Sequence, residues 1–171
     1  ILHPAHGRPI AIPSQDMVLG AHYLTRSKSG ETGEGSQFSS YEEAFLAFEN
    51  KEVSVHALVD VRLDGKWIKE TTVGRILFNQ KLPSIMSYVN QTLDSRFLTK
   101  IISQCYKEAG NYETVAFLDE IKDMGFEFAF KSGLSIAISD IHIPKKKEAI
   151  LSSAQRQVEE IQAKFDRHVL T

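Results

Sequence analysis

The sequence predicts an α+β fold: a small antiparallel β-hairpin layer with several helices, closed by a long C-terminal helix of coiled-coil type. Three observations carry this. Apolar residues alternate from Val53 to Leu63 ahead of an Asp64-Gly65 turn signal. Apolar residues then recur at helical spacing through Phe97–Cys105 and Val115–Met124, and near the end Leu151, Ala154, Val158, Ile161 and Phe165 form a narrow stripe. With 171 residues, 42% hydrophobic and 25% charged, the chain can bury one medium core or two small ones. A formal net charge of −2 argues against tight autonomous binding to nucleic acid, which normally shows a clear basic excess. The single cysteine, Cys105, excludes an internal disulfide framework and suits a reducing compartment. No apolar run approaches membrane-spanning length.

Taken in order, Ile10 and Ile12 alternate as a short strand that Pro13 ends. Ser14 or Asp16 then caps a helix carrying Met17, Val18 and Leu19. Residues 26–37 form a polar Gly/Ser loop. Ser40 with Glu43 makes a capping box for a helix whose face is Ala44, Phe45, Ala47 and Phe48, ending at Asn50. The strand from Val53 to Leu63 should turn at Asp64-Gly65 and return from Trp67 through Thr71, Thr72, Val73 and Ile76 to Phe78. Two helices follow, stopped by Gly110 and Gly125, and the short link between them favours an antiparallel pair. Phe126, Phe128 and Phe130 alternate as extended chain, and Leu134, Ile136 and Ile138 continue that alternation toward Pro144. From Lys145 the chain reads as one helix whose seam requires a facing helix, found on this domain, on a second copy, or beyond Thr171.

Few residues here suggest chemistry. Gln15 sits at a strand-to-helix junction, where a neutral amide can meet sugar hydroxyls or phosphate, or can act as a hydrogen-bonding strut. Asp16 reads as a carboxylate favoured by the helix dipole rather than as an acid or base. Arg75, on the expected return strand, follows Gly74, which permits close approach of another segment. Lys145, Lys146 and Lys147 crowd a helix start, where the dipole disfavours cations. His3 and His6 lie three apart near a terminus, while His22, His56, His142 and His168 are scattered, so no ligand cluster forms; neither a nucleophile elbow nor a phosphate-binding glycine loop occurs.

The motifs PSQDMVLG, YLT, GEG, HALVDVRL, TTVGRILFN and MGFEFAFKSGLSIAISDIHIPKKK, in this order along the whole chain, resemble the largest (β′) subunit of bacterial DNA-dependent RNA polymerase. The resemblance implies an internal slice: residues 1–143 as the pore or secondary-channel domain, and residues 144–171 as the first arm of a helical hairpin at the channel rim. It implies that Gln15 lies near the nucleotide substrate and the RNA 3′ end. Arg75, Lys131, Lys145, Lys146 and Lys147 become candidate channel-lining residues, with structural use of Arg75 as the alternative. The family holds its catalytic magnesium with the aspartates of an NADFDGD loop, which is absent from this sequence. The resemblance therefore implies a chain that is inactive alone, carries no cofactor of its own, and works in the cytoplasm beside other β′ segments and polymerase subunits. Nucleotides and nucleic acid would be met only in that assembly, and 151–165 would be open to self-association. The reading from a different class is a non-catalytic helical module for protein interaction.

Overall fold

A computed structural model of the chain describes residues 10–167. They fall into two compact units, one running to Leu134 and one starting at Ser135. Among the described residues no helix is long and apolar enough to cross a membrane.

The first unit opens with α1, Asp16–Thr25. Ile10 and Ile12 form no strand. A two-residue strand, β1 (Gln37–Phe38), precedes α2, Tyr41–Glu49. Ser40 caps α2, its hydroxyl accepting from the Glu43 N–H at 3.3 Å. The Glu43 carboxylate reaches back one residue further than a capping box requires, accepting the Ser39 N–H at 2.6 Å. Strand β2 is shorter than the alternation suggested, Leu58–Leu63, because Val53–Ala57 are taken up by turns. The alternation still reports burial: Val53, Ala57, Val59 and Val61 all face the core. Asp64 and Gly65, with φ of 47° and 78°, make the two-residue turn into β3, Lys66–Thr72. The sheet is mixed, in the order β1-β2-β3, with β1 parallel and β3 antiparallel to β2.

The return strand stops six residues before Phe78. Thr72 accepts the Arg75 N–H at 3.2 Å and caps α3, Val73–Asn79, so TTVGRILFN crosses from strand into helix. Ile76 and Phe78, two apart and both buried, imitate a strand's alternation, whereas Val73 and Ile76, three apart and both buried, fit only a helix. Before Thr72 the ladder contains a bulge: Val59 pairs with Thr71 and Val61 with Ile68, so Lys69 and Glu70 both oppose Asp60. Glu70 adopts φ 51°, and its N–H donates to the Asp60 carboxylate at 3.0 Å.

Helix α4, Ser95–Ser132, is broken at Gly110 (φ 82°, ψ −175°). Asp94 caps its start, accepting the Phe97 N–H at 2.7 Å. Cys105 and Thr114 would stand about 13 Å apart on a straight helix. Here the Thr114 hydroxyl lies 3.6 Å from the Cys105 sulfur, so the chain turns back sharply at Gly110. Gly125 does not end the second segment, nor are Phe126, Phe128 and Phe130 extended; the helix continues to a left-handed cap at Gly133 (φ 59°).

Gly125 has a different task. A Cβ on Gly20 would lie 1.8 Å from the Gly125 carbonyl oxygen, and one on Gly125 would lie 2.8 Å from the Met17 Cα. On the other side, a Cβ on Gly74 would lie 1.8 Å from the Leu24 carbonyl oxygen. Helix α1 is therefore clamped backbone-to-backbone between α3 and the second segment of α4. Around this contact Ala21, Leu24, Phe78, Leu98, Ile102, Phe117 and Ile121 form one core, with Phe78 edge-on to Phe117 at 6.1 Å. Ala44, Ala57, Val59, Val61, Val73 and Ile76 form a second between the sheet, α2 and α3.

The second unit contains a single 3-10 turn, Ile138–Asp140, and α5, Lys147–Asp166. Leu134, Ile136 and Ile138 do not extend a strand. Leu151, Val158, Ile161 and Phe165 of the seam are each more than half exposed.

Two consequences are measurable. Gly125→Ala forces a methyl into the α1 backbone, an overpacking worth about 1–3 kcal/mol, so its thermal midpoint falls by several degrees. The second concerns His56, which is 5% exposed and donates Nδ1–H to the Arg26 carbonyl at 3.2 Å. Burial first, and then the Arg26 cation, hold its pKa below the ordinary 6.5; the bond to the Arg26 carbonyl and the Glu31 charge oppose the shift, and Lys28 adds to it. Between that lowered value and 6.5 the unfolded chain binds more protons than the folded one. Stability is complete above pH 6.5 and is lost as pH falls through the folded-state value. Denaturant midpoints measured downward from pH 6.5 should fall for the wild type, and less steeply for His56→Gln.

Candidate functional site

Gln15 stands at the entrance to α1 in a conformation that its residue type disfavours. The Ser14 carbonyl accepts the Met17 N–H at 3.1 Å, closing a β-turn whose first central residue is Gln15, at φ 48° and ψ −121°. That geometry belongs to a type II′ turn, where glycine is the usual occupant. Neither Ser14 nor Asp16 caps the helix through its side chain: Gln15 is itself the N-cap residue, with no side-chain cap bond, and Asp16 is the first helical residue. A strained backbone costs about 1–3 kcal/mol and persists where surrounding structure enforces it. Here the enforcing structure is the glycine clamp on α1 five to ten residues downstream.

The exposed Gln15 side chain lines an open groove of about 480 Å3 together with Ser14, Val18, His22, Asp94 and Ser95. Two chain segments thus meet at the groove, the start of α1 and the start of α4. The carboxylate of Asp94 is committed to its capping bond. The groove can offer an amide, hydroxyls and an imidazole to a ligand, which suits hydrogen bonding to a polar neutral group better than general acid–base work.

Arg75 lies elsewhere and faces inward. It sits in the first turn of α3, not on a strand, and is 8% exposed. Its Nε donates to the Thr25 carbonyl at 2.9 Å; Nη1 donates to the Glu70 carbonyl at 3.3 Å and to Asn90 Oδ1 at 3.1 Å. The guanidinium therefore joins the end of α1, the β3 bulge and the loop before α4. Burial lowers its pKa, while the neighbouring Tyr88 acts against that shift. Tyr88 is in turn pushed up to about 12, chiefly by burial, and shares a hydrogen bond of 2.9 Å with Thr71.

The lysines are dispersed. Lys131 pairs with Glu127 at 2.5 Å and stands 5.0 Å from the Phe128 ring centre, near the end of α4. Lys145, Lys146 and Lys147 are exposed in the second unit, with Lys146 as the N-cap residue of α5 and Glu148 in its first turn. Among the described residues no three His, Cys, Asp or Glu side chains converge as a metal would require. Cys105 is buried, and burial raises its pKa, so it is a packing residue.

Two polar residues that the sequence reading passed over organise the loop beside the site. Thr25 accepts the Leu93 N–H on its hydroxyl at 2.9 Å, and Asn79 brackets Val89 with bonds of 2.7 and 2.8 Å. Both lie at helix ends, where a free side-chain amide or hydroxyl next to an irregular segment is the available signal.

Comparison with known proteins adds an independent observation. Residues 1–141 match the family described as RNA polymerase Rpb1, domain 3. Over its whole length the chain is 48% identical to the DNA-directed RNA polymerase subunit beta' of Pelotomaculum thermopropionicum and 43% identical to that of Desulforamulus reducens. Against the Aquifex pyrophilus subunit the identity is 45%. The chain spans 15%, 14% and 11% of these three relatives, so it corresponds to a fragment of each. The family match and these relatives agree: the chain belongs to the RNA polymerase Rpb1 domain 3 family and is similar over its whole length to a segment of bacterial polymerase β′ subunits.

Proposed function

We propose that this chain is a wall segment of a DNA-dependent RNA polymerase, bordering the secondary channel and helping to position the incoming nucleotide or the RNA 3′ end through Gln15. What supports the reading is the family match together with the strained turn that holds Gln15 at the mouth of a groove. A glycine would fit that turn better, so retention of a long amide there is consistent with a task for the side chain. An amide adds no charge beside phosphates and can both donate to and accept from ribose hydroxyls.

On this reading the remaining β′ segments and polymerase subunits are the partners, and nucleotides and nucleic acid are contacted only in the assembled enzyme. The catalytic magnesium is held outside this chain, on the absent aspartate loop, so the isolated polypeptide does not transfer nucleotides. Residues 1–143 act as the pore domain and 144–171 as the first arm of the rim hairpin, with Lys131 and Lys145–Lys147 contributing positive charge to the passage. Arg75 serves the same passage indirectly, as an internal strut. One observation favours a second reading, a helical interaction module: the seam of α5 is exposed from Leu151 to Phe165 and suits a facing helix.

Substitution at Gln15 tests the first reading on two readouts. In assembled polymerase carrying this segment, Gln15→Ala should raise the KM for nucleotide by about tenfold, the worth of one lost hydrogen bond; an unchanged KM removes the assigned role. Gln15→Gly should show the same KM defect while stabilising the isolated chain by about 1 kcal/mol, since it relieves the turn.

A further inference from the structure

Two adjoining grooves, of about 360 and 260 Å3, run along the first segment of α4, and Gln91, Phe97 and Lys100 belong to the walls of both. Arg96 lines the first groove. Arg96 and Lys100 stand one turn apart on the helix, about 6 Å along its axis, and both are exposed. Among the described residues neither forms an ion pair: the lysine–carboxylate pairs present involve Lys28, Lys81, Lys122 and Lys131. One carboxylate stands in these walls, Asp94, whose Oδ1 accepts the Phe97 N–H and which keeps its negative charge. The rest of the polar lining is amide and hydroxyl, including Thr92 and Gln104.

A third cation stands one hydrogen bond behind. Asn90, in the wall of the smaller groove, accepts from the buried Arg75 guanidinium at 3.1 Å. The described hydrogen bonds of that guanidinium go to two carbonyls and this amide, so no carboxylate offsets its charge there. The larger groove of the molecule, about 670 Å3 beside the hairpin, differs in this respect, since it sets Arg62 and Lys66 against Glu42 and Asp64. At the start of α4 positive charge is thus in excess: Arg96 and Lys100, with Arg75 behind them, outnumber the one carboxylate in these walls, Asp94. Asp94 also lines the Gln15 groove, so the two grooves share a wall residue.

We propose that Arg96 and Lys100 form a polyphosphate-binding trough that takes neighbouring phosphates of a nucleoside triphosphate. Two cations at this spacing, flanked by neutral donors, match two adjacent phosphate groups. Assigning the polyphosphate to a nucleotide rests on the channel-wall reading above; affinity for the polyphosphate itself does not.

The test uses inorganic tripolyphosphate, which has no ribose for Gln15 to read, so its outcome is separable from that of the Gln15 variants. Titrated into the isotope-labelled 171-residue chain and followed by amide NMR, it should give saturable shifts centred on residues 91–100 that weaken with added salt. Arg96→Gln and Lys100→Gln should each weaken binding about tenfold, the double variant should abolish it, and Arg96→Lys should retain most of it. Both positions of change are exposed, so thermal midpoints should be unaltered, which separates lost binding from lost folding. Shifts that map equally onto Lys145–Lys147, binding that survives the double variant, or binding that requires single-stranded RNA in place of tripolyphosphate would overturn the proposal.

Discussion

The architecture of the first unit depends on how closely α1 can approach its neighbours. Gly20 and Gly125 let α1 and the second segment of α4 touch through backbone atoms, and Gly74 does the same for α1 and α3. A methyl at any of the three would collide with a main-chain atom, which cannot rotate away as a side chain can. Once these helices are in contact, Ala21 and Leu24 reach Phe78, Phe117 and Ile121, and the larger core closes around them. The entry angle of α1, and with it the turn carrying Gln15, follows from that contact.

A second layer of order comes from a cation placed inside the protein. Arg75 costs desolvation energy, and its described bonds run to two carbonyl oxygens and one amide. Those acceptors are available because the local backbone is irregular: α1 ends at Thr25, and the β3 bulge turns the Glu70 carbonyl out of the ladder. The Lys69 carbonyl, in the same bulge, accepts from Asn90 at 3.1 Å. Bulge, arginine and asparagine thereby satisfy one another, and Asn79 and Thr25 hold the loop that leads to α4. Asn90 of this loop also lines the smaller groove, so the structural network and the candidate binding surface meet at that residue.

The second unit follows different physics. Helix α5 presents its apolar stripe to solvent, and its amides Gln155 and Gln162 bond to Glu159 and Asp166 one turn along. Such pairs steady a helix by only a few tenths of a kcal/mol each. A stripe of this width gains most of its stability from a partner helix.

Much of this protein was determined by its sequence alone. The α+β class, the hairpin at Asp64-Gly65, the capped α2, the break at Gly110 and the stripe of α5 all rest on local rules of turn, cap and period, which need no knowledge of distant residues. The ordered motifs were likewise enough to indicate the family. Tertiary structure decided the rest. Val73–Phe78 became helix because Thr72 could cap it and Gly74 could press on Leu24; Gly125 became a contact instead of a stop because Gly20 lies opposite. The phenylalanines at 126, 128 and 130 lie in helix, since α4 runs past that contact to Gly133. The inward turn of Arg75 and the backbone of Gln15 depend on acceptors and packing supplied by segments tens of residues away, and no local pattern encodes where those segments will lie.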